Sequence, residues 1–178
     1  MRKREDLHKA GFLLLTYAIL EQFGVEVSEK DIEVNPWGKP YLKNNKDIFF
    51  NISHCHGGVD CAVSTGTPIG IDVEKIRPYK KYSFNKSFTI EERENILKSN
   101  NPERDYFMHW TLKESYIKAI GMGFAYPMKN ISFKLKDNII YCNRPKCRFL
   151  LLEDENGFLT AYCYGVGKVI HNGKFYRI

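Results

Sequence analysis

Pro68-Ile69-Gly70-Ile71-Asp72-Val73-Glu74 is the stretch on which the reading of this chain turns. In an extended strand, residues two apart share a side. Ile71 and Val73 are therefore expected to face a core, while Asp72 and Glu74 project together from the other surface and Gly70 leaves room beside them. Two carboxylates that close repel unless something positive stands between them, and a hard divalent cation held by oxygen ligands suits that place. A half-solvated antiparallel strand with an acidic outer face accounts for the same letters. On this stretch alone it is the simpler reading; the remainder of the chain reverses that preference.

The chain has 178 residues, enough for one sizeable domain or two small lobes with a buried core. A hydrophobic fraction of 43% with aromatics spread evenly argues for a globular protein. The longest apolar run, Gly11 to Leu20, contains Thr16 and Tyr17 and is too short to span a bilayer. No small-residue cleavage pattern follows it, so it reads as a buried helix, and the expected location is the cytoplasm, with no membrane partner. The five cysteines are odd in number and lack a Cys-x-x-Cys pair, which argues against both a disulfide framework and a structural zinc site. The net charge of +6 implies an anionic partner: nucleic acid, a phosphorylated cofactor or an acidic protein.

Leu7 to Phe23 reads as a helix ended by Gly24. Ile48–Ile52 and Cys61–Ser64 read as short strands. From Lys75 to Ile90 five basic residues (Lys75, Arg77, Lys80, Lys81, Lys86) alternate with Tyr79, Tyr82, Phe84 and Phe88, without an acid. This segment is expected to connect two lobes, 1–78 and 79–178. Thr89-Ile90-Glu91-Glu92 fits a capping box opening a helix to about Lys98, and a longer helix runs from near Pro102 to Ile120, stopped by Gly121. Short strands follow at Ile131–Leu135, Ile139–Cys142, Arg148–Leu152 and Phe158–Tyr164, with turns at Asp137-Asn138 and Asn156-Gly157. The class is α+β.

Trp110, Glu114 and Lys118 recur every four residues and line one helix face. A Glu-to-Lys pair on a solvated face explains the two charges, but a tryptophan on that face points to partial burial, where a carboxylate with raised proton affinity can act as a general base. Asn51-Ile52-Ser53-His54 closes a strand. Ser53 and His54 point apart there, so a Ser–His nucleophile pair is disfavoured; a phosphate contact from the two is one reading, and a strand-end histidine satisfied by backbone the other. Gly38-Lys39-Pro40, after Asn35-Pro36-Trp37, is a rigid turn that could grip a nucleotide or simply be a surface turn.

In order, Gly38-Lys39-Pro40, Asn51-Ile52-Ser53-His54, Ile69-Gly70-Ile71-Asp72-Val73-Glu74, Trp110-Thr111-Leu112-Lys113-Glu114-Ser115-Tyr116-Ile117-Lys118-Ala119 and Gly121-Met122-Gly123 resemble the 4′-phosphopantetheinyl transferase superfamily, specifically its larger monomeric, surfactin-synthetase-activating class. The resemblance spans roughly residues 5 to 165. It implies two similar α/β lobes related by pseudo-twofold symmetry, with coenzyme A between them. It also implies Mg²⁺-dependent transfer of the 4′-phosphopantetheine arm to a serine of an acyl or peptidyl carrier protein, releasing adenosine 3′,5′-bisphosphate, by a monomer.

Carried onto this chain, the resemblance makes Asp72, Glu74 and Glu114 the metal ligands, with Glu114 as ligand, base for the serine hydroxyl, or both. Lys118 would pair with the pyrophosphate. Ser53 and His54 would contact coenzyme phosphates, Lys39 and Pro40 the adenine end, and Lys9, in Glu5-Asp6-Leu7-His8-Lys9, the 3′-phosphate. Lys113 takes a supporting role. The basic segment 75–88 would receive the acidic helix of the carrier protein. Relative to the family pattern, the chain opens only a few residues before Glu5-Asp6, without the usual opening strand.

Two rivals share some of these letters. A metal-dependent nuclease also pairs acids with a lysine, but such sites want acid-x-Lys on one strand face, and Lys75 directly follows Glu74 and points away from it. A non-catalytic basic adaptor binding acidic protein or RNA needs none of the four residues Asp72, Glu74, Glu114 and Lys118. Both stand as alternatives behind the transferase reading, under which nucleic acid is not expected as a partner.

Overall fold

The structure, a computed structural model, describes residues 2–136, 139–144, 146–165 and 174–177. Helix α1 (Arg2–Phe23) is followed by the small pair β1 (Ile32–Val34) and β2 (Pro40–Leu42), then by the hairpin β3 (Ile48–Cys55) and β4 (Gly58–Thr65). Both hairpin strands run further than Ile48–Ile52 and Cys61–Ser64. Gly57 adopts φ 91° in the two-residue turn, so pairing continues to Cys55 and Gly58. Next come β5 (Ile69–Lys75), α2 (Lys81–Ser87), α3 (Ile90–Lys98) and α4 (Pro102–Ile120). The chain continues through β6 (Phe133–Lys136), β7 (Ile139–Cys142), β8 (Arg148–Glu153), β9 (Phe158–Tyr164) and β10 (Lys174–Arg177). The architecture is α+β, as the sequence indicates. The expected turn at Asp137-Asn138 lies outside the described residues.

Local chemistry accounts for the helices. Thr89 caps α3 and Glu92 reaches back to the Thr89 amide, the reciprocal pair expected. Asn101 caps α4 ahead of Pro102, and Gly121 ends it in the left-handed region at φ 71°. The basic segment after β5 holds helix α2, and three of its four aromatic rings are held against the protein: Phe84 and Phe88 are buried, and Tyr79 stacks on Tyr106 of α4 at 4.5 Å between centroids, while Tyr82 is exposed.

Two three-stranded antiparallel sheets form the frame, β10-β4-β3 and β5-β9-β8. One core lies under α1, with Leu15, Ile19, Phe50 and Val63; a second lies around α4, with Leu112, Ile117, Phe133 and Leu159. The division at residue 78 is crossed in both directions. β5 pairs along its whole length with β9, Ile69 opposite Tyr164 and Lys75 opposite Phe158, while β10 returns to pair with β4. Strand pairing thus puts β5 in the second sheet and the chain's last strand in the first.

The second edge of β5 faces β3 without a backbone ladder. Side chains make the join: the Ile71 amide donates to Asn51 Oδ1 at 2.9 Å, and the Val73 amide to Ser53 Oγ at 3.1 Å. Buried amides need partners, and here two polar residues of Asn51-Ile52-Ser53-His54 supply them.

β5 is therefore not the half-solvated strand that its acidic alternation suggests. Ile71 and Val73 are buried as expected, but Asp72 is buried too. The reason is Gly70. A Cβ there would lie 2.0 Å from the Ser115 carbonyl oxygen and 2.4 Å from the Ala119 nitrogen, so only glycine lets α4 lie directly on this face. The room beside the acids is filled by a helix backbone.

Candidate active site

With α4 seated on β5, its face carrying Glu114 and Lys118 meets Asp72. The Lys118 ammonium donates to Asp72 Oδ1 at 2.6 Å and to Ser53 Oγ at 2.8 Å, and the Ser53 hydroxyl donates to Asp72 Oδ1 at 3.1 Å. β3, β5 and α4 thus each contribute one residue to a single knot. Ser53 is buried, and its oxygen accepts from Val73 and Lys118 while its hydrogen goes to Asp72. That spends the bonding capacity of a hydroxyl, so in this arrangement Ser53 organises the knot and does not present a free hydroxyl to a phosphate.

Glu74 is paired outward, with Arg77 Nη1 at 2.7 Å from its Oε2, and the Arg77 guanidinium lies 4.4 Å from the centre of the Phe107 ring. Among the described residues, then, the cations paired with these acids are Lys118, on Asp72, and Arg77, on Glu74.

The three carboxylates are close enough to disturb one another. Burial pushes the Glu114 carboxyl up to about 7, with the Asp72 charge adding to the rise and Lys118 opposing it. Burial likewise lifts Asp72 to about 6, against the pull of Lys118. Yet among the described residues no three carboxylates, histidines or cysteines are drawn into one metal-ligand cluster. The convergence expected of Asp72, Glu74 and Glu114 is electrostatic, not a finished coordination shell. What does suit a cation is the pair of buried oxygens lacking hydrogen-bond partners, Asp72 Oδ2 and Glu114 Oε1. Carboxylate oxygens are the donors that a hard divalent ion takes, so the donor set fits Mg²⁺.

A cavity of about 510 Å³ beneath α1 is lined by Gly38, Pro40 and His54, together with His8, Phe12 and Ile52. It brings together Pro40 and His54, which sequence reading placed on one ligand. Lys9 is exposed on α1, and its neighbour His8 is the residue that lines this cavity. Sequence reading passed over His8; helical spacing from Phe12 and Leu15, at i+4 and i+7, was the available signal.

Lys39 departs furthest from expectation. Its ammonium donates to the carbonyls of Ile69 at 3.0 Å and Ala119 at 2.9 Å, and burial drags its pKa down to about 8. Lys113, on the far side of α4, is wholly buried, 2.7 Å from Glu92, and donates to the Met128 and Ile131 carbonyls.

Residues 68–165 match the 4′-phosphopantetheinyl transferase superfamily. A 4′-phosphopantetheinyl transferase of Bacillus subtilis is 36% identical over 140 residues, covering 76% of this chain and 62% of that protein. The 4′-phosphopantetheinyl transferase Sfp of Bacillus subtilis strain 168 is 32% identical over 169 residues, 90% of this chain and 75% of its own length. Among solved structures, the holo-[acyl-carrier-protein] synthase of Thermotoga maritima aligns with a TM-score of 0.48 at 17% identity, over 55% of this chain and 62% of that one. With a matched stretch running from the acidic strand through the α4 motif, and with a relative such as Sfp aligned along nearly the whole chain, this protein belongs to the 4′-phosphopantetheinyl transferase superfamily, in its Sfp-like class.

Proposed function

We propose that this chain transfers 4′-phosphopantetheine from coenzyme A to a serine hydroxyl of an apo carrier protein. One observation carries the reading: a buried acid, a lysine and a second acid of raised proton affinity meet where β5 and α4 cross.

Phosphoryl transfer needs the reacting groups in line and the phosphate charge neutralised. Mg²⁺, held by Asp72, Glu74 and Glu114, would supply that neutralisation to the coenzyme pyrophosphate when bound. Lys118 would exchange its bond to Asp72 for a phosphate oxygen and stabilise charge on the leaving group. Glu114, its carboxyl lifted to about 7 by burial, has the proton affinity to take the serine proton near neutral pH. His54, Pro40 and the adjoining His8 would receive the nucleotide portion, with Lys9 at the rim near the 3′-phosphate.

The segment 75–88 is the proposed landing place for an acidic carrier helix. Its cations stand on a scaffold of stacked rings, Tyr79, Phe84 and Tyr106, that fixes the segment against α4. Coenzyme A would then lie between the lobes at 1–78 and 79–178, with the carrier approaching along the 75–88 segment. Incubation of apo carrier protein with coenzyme A and Mg²⁺, followed by mass spectrometry, tests the proposal. The expected result is a gain of one phosphopantetheine arm on the carrier; an unmodified carrier, with Sfp modifying the same preparation, refutes it.

A further inference from the structure

Helix α4 ends where its last carbonyls have no partner of their own. The carbonyls of Ala119 and of the capping Gly121 are met by side chains from a loop eighty or more residues earlier. Asn35 Nδ2 donates to the Gly121 carbonyl at 2.9 Å, and Lys39 Nζ donates to the Ala119 carbonyl at 2.9 Å. The loop is built to deliver both. Asn35 Oδ1 accepts from the amides of Trp37 at 3.0 Å and Lys39 at 2.8 Å, and the Asn35 amide donates to the Lys39 carbonyl at 2.9 Å.

The lysine has a second bond, to the carbonyl of Ile69 at 3.0 Å, the first residue of β5. Its ammonium therefore ties together two backbone segments: the one three residues before Asp72 and the one directly after Lys118. The fit is close. A Cβ on Gly121 would lie 2.8 Å from Lys39 Cδ and 3.2 Å from Asn35 Nδ2, and one on Gly123 3.3 Å from the Trp37 carbonyl oxygen. A cation at the negative end of a helix is favoured, which answers how a half-buried lysine stands without a carboxylate partner among the described residues.

We infer that Asn35 and Lys39 form a clasp that caps α4 from the other half of the molecule and thereby sets the register of Lys118 against Asp72; Lys39 is a positioning residue and its ammonium is not a ligand for coenzyme A. The catalytic part of this inference rests on the function proposed above, whereas the clasp itself does not.

The test uses the full chain with Lys39→Met, Asn35→Ala and the double variant. Hydrogen–deuterium exchange of the 116–123 amides reads the clasp without reference to activity. Each single variant is expected to speed exchange there at least about ten-fold, with little further gain in the double, because the two side chains serve one capped end. In phosphopantetheine transfer, kcat is expected to fall about ten-fold or more in both single variants, with KM for coenzyme A within about two-fold. Unchanged exchange at 116–123 would overturn the clasp. A Lys39→Met variant whose KM rises steeply while Asn35→Ala behaves as wild type would return Lys39 to the coenzyme. If wild type transfers nothing, the exchange arm still decides the clasp. If Lys39→Met does not fold, Asn35→Ala and Lys39→Gln carry both readouts.

Discussion

The Lys118 ammonium sits 2.6 Å from Asp72 Oδ1, and this contact brings the face of α4 and the face of β5 to one point. It also answers the electrostatic question that the acidic strand poses. Buried carboxylates need compensation, and before any metal arrives a lysine of the same site provides it. In the proposed reaction, binding of a divalent ion or a pyrophosphate would release Lys118 from one carboxylate oxygen toward a phosphate oxygen, so that the residue would serve first as placeholder and then as reagent.

Replacing either buried acid separates chemistry from folding. Asp72→Ala and Glu114→Ala are each expected to abolish transfer, by at least about 10³-fold, since under the proposed function each removes a carboxylate that would hold the metal. The circular dichroism spectrum and a cooperative melt should survive. Normal turnover by either variant would remove that residue from the site.

The same two acids give a pH signature to the metal-free protein. Burial lifts Asp72 to about 6 from 3.8 and Glu114 to about 7 from 4.5. The folded state therefore keeps protons that the unfolded chain has released, and stability from these groups falls as pH rises through roughly 4 to 7. Glu114→Gln has no such proton to lose. In the presence of a chelator, the Tm of the variant minus that of wild type should grow between pH 5 and pH 7.5, and Mg²⁺ should raise wild type more than the variant at pH 7.5. A difference that stays flat across the range contradicts the assignment.

Lys113 and Glu92 carry a different kind of risk. Their pair is fully buried, and Glu92 also accepts from the amides of Thr89 and Phe133, binding α3, α4 and the start of β6 together. Lys113→Met leaves a buried carboxylate without its cation, so a loss of about 3–5 kcal/mol in urea unfolding is expected. Adding Glu92→Gln should restore part of it, because no lone charge remains.

Gly70 tests why the acidic face is covered. With a new Cβ 2.0 Å from one α4 backbone atom and 2.4 Å from another, Gly70→Ala forces the helix off the strand. The expected cost exceeds the roughly 1–3 kcal/mol usual for overpacking, and transfer should fall with Tm. An alanine variant that melts and turns over like wild type would mean the helix does not sit there.

These particulars mark where sequence reading reaches and where it stops. The start and stop of α3 and α4 were legible because Thr89, Glu92, Asn101, Pro102 and Gly121 act on their own neighbours. The candidate acids were legible as well, since spacing of two on a strand and four on a helix fixes a shared side. What lies against that side is not local information. Gly70 signalled a close approach but not its partner, so the burial of Asp72 was not legible from the strand itself. Nothing near Lys39 reports that its reach ends on Ala119, eighty residues on. Nor does Asn51-Ile52-Ser53-His54 announce that two of its side chains replace a backbone ladder along β5.

Ser53 offers the sharpest test of that last point. Its oxygen accepts from the Val73 amide and the Lys118 ammonium and its hydrogen goes to Asp72, so it joins β3, β5 and α4 at once. Ser53→Ala would leave the buried Val73 amide unsatisfied, at about 1–3 kcal/mol, and free Lys118 to wander from Asp72. The expected outcome is a lower Tm together with a fall in kcat of about ten- to a hundred-fold, with KM for coenzyme A little changed. A phosphate-binding serine behaves differently: the alanine variant would melt like wild type and lose coenzyme affinity instead. Melting curves and steady-state kinetics on the one variant therefore distinguish a hydroxyl that organises the site from one that touches the substrate.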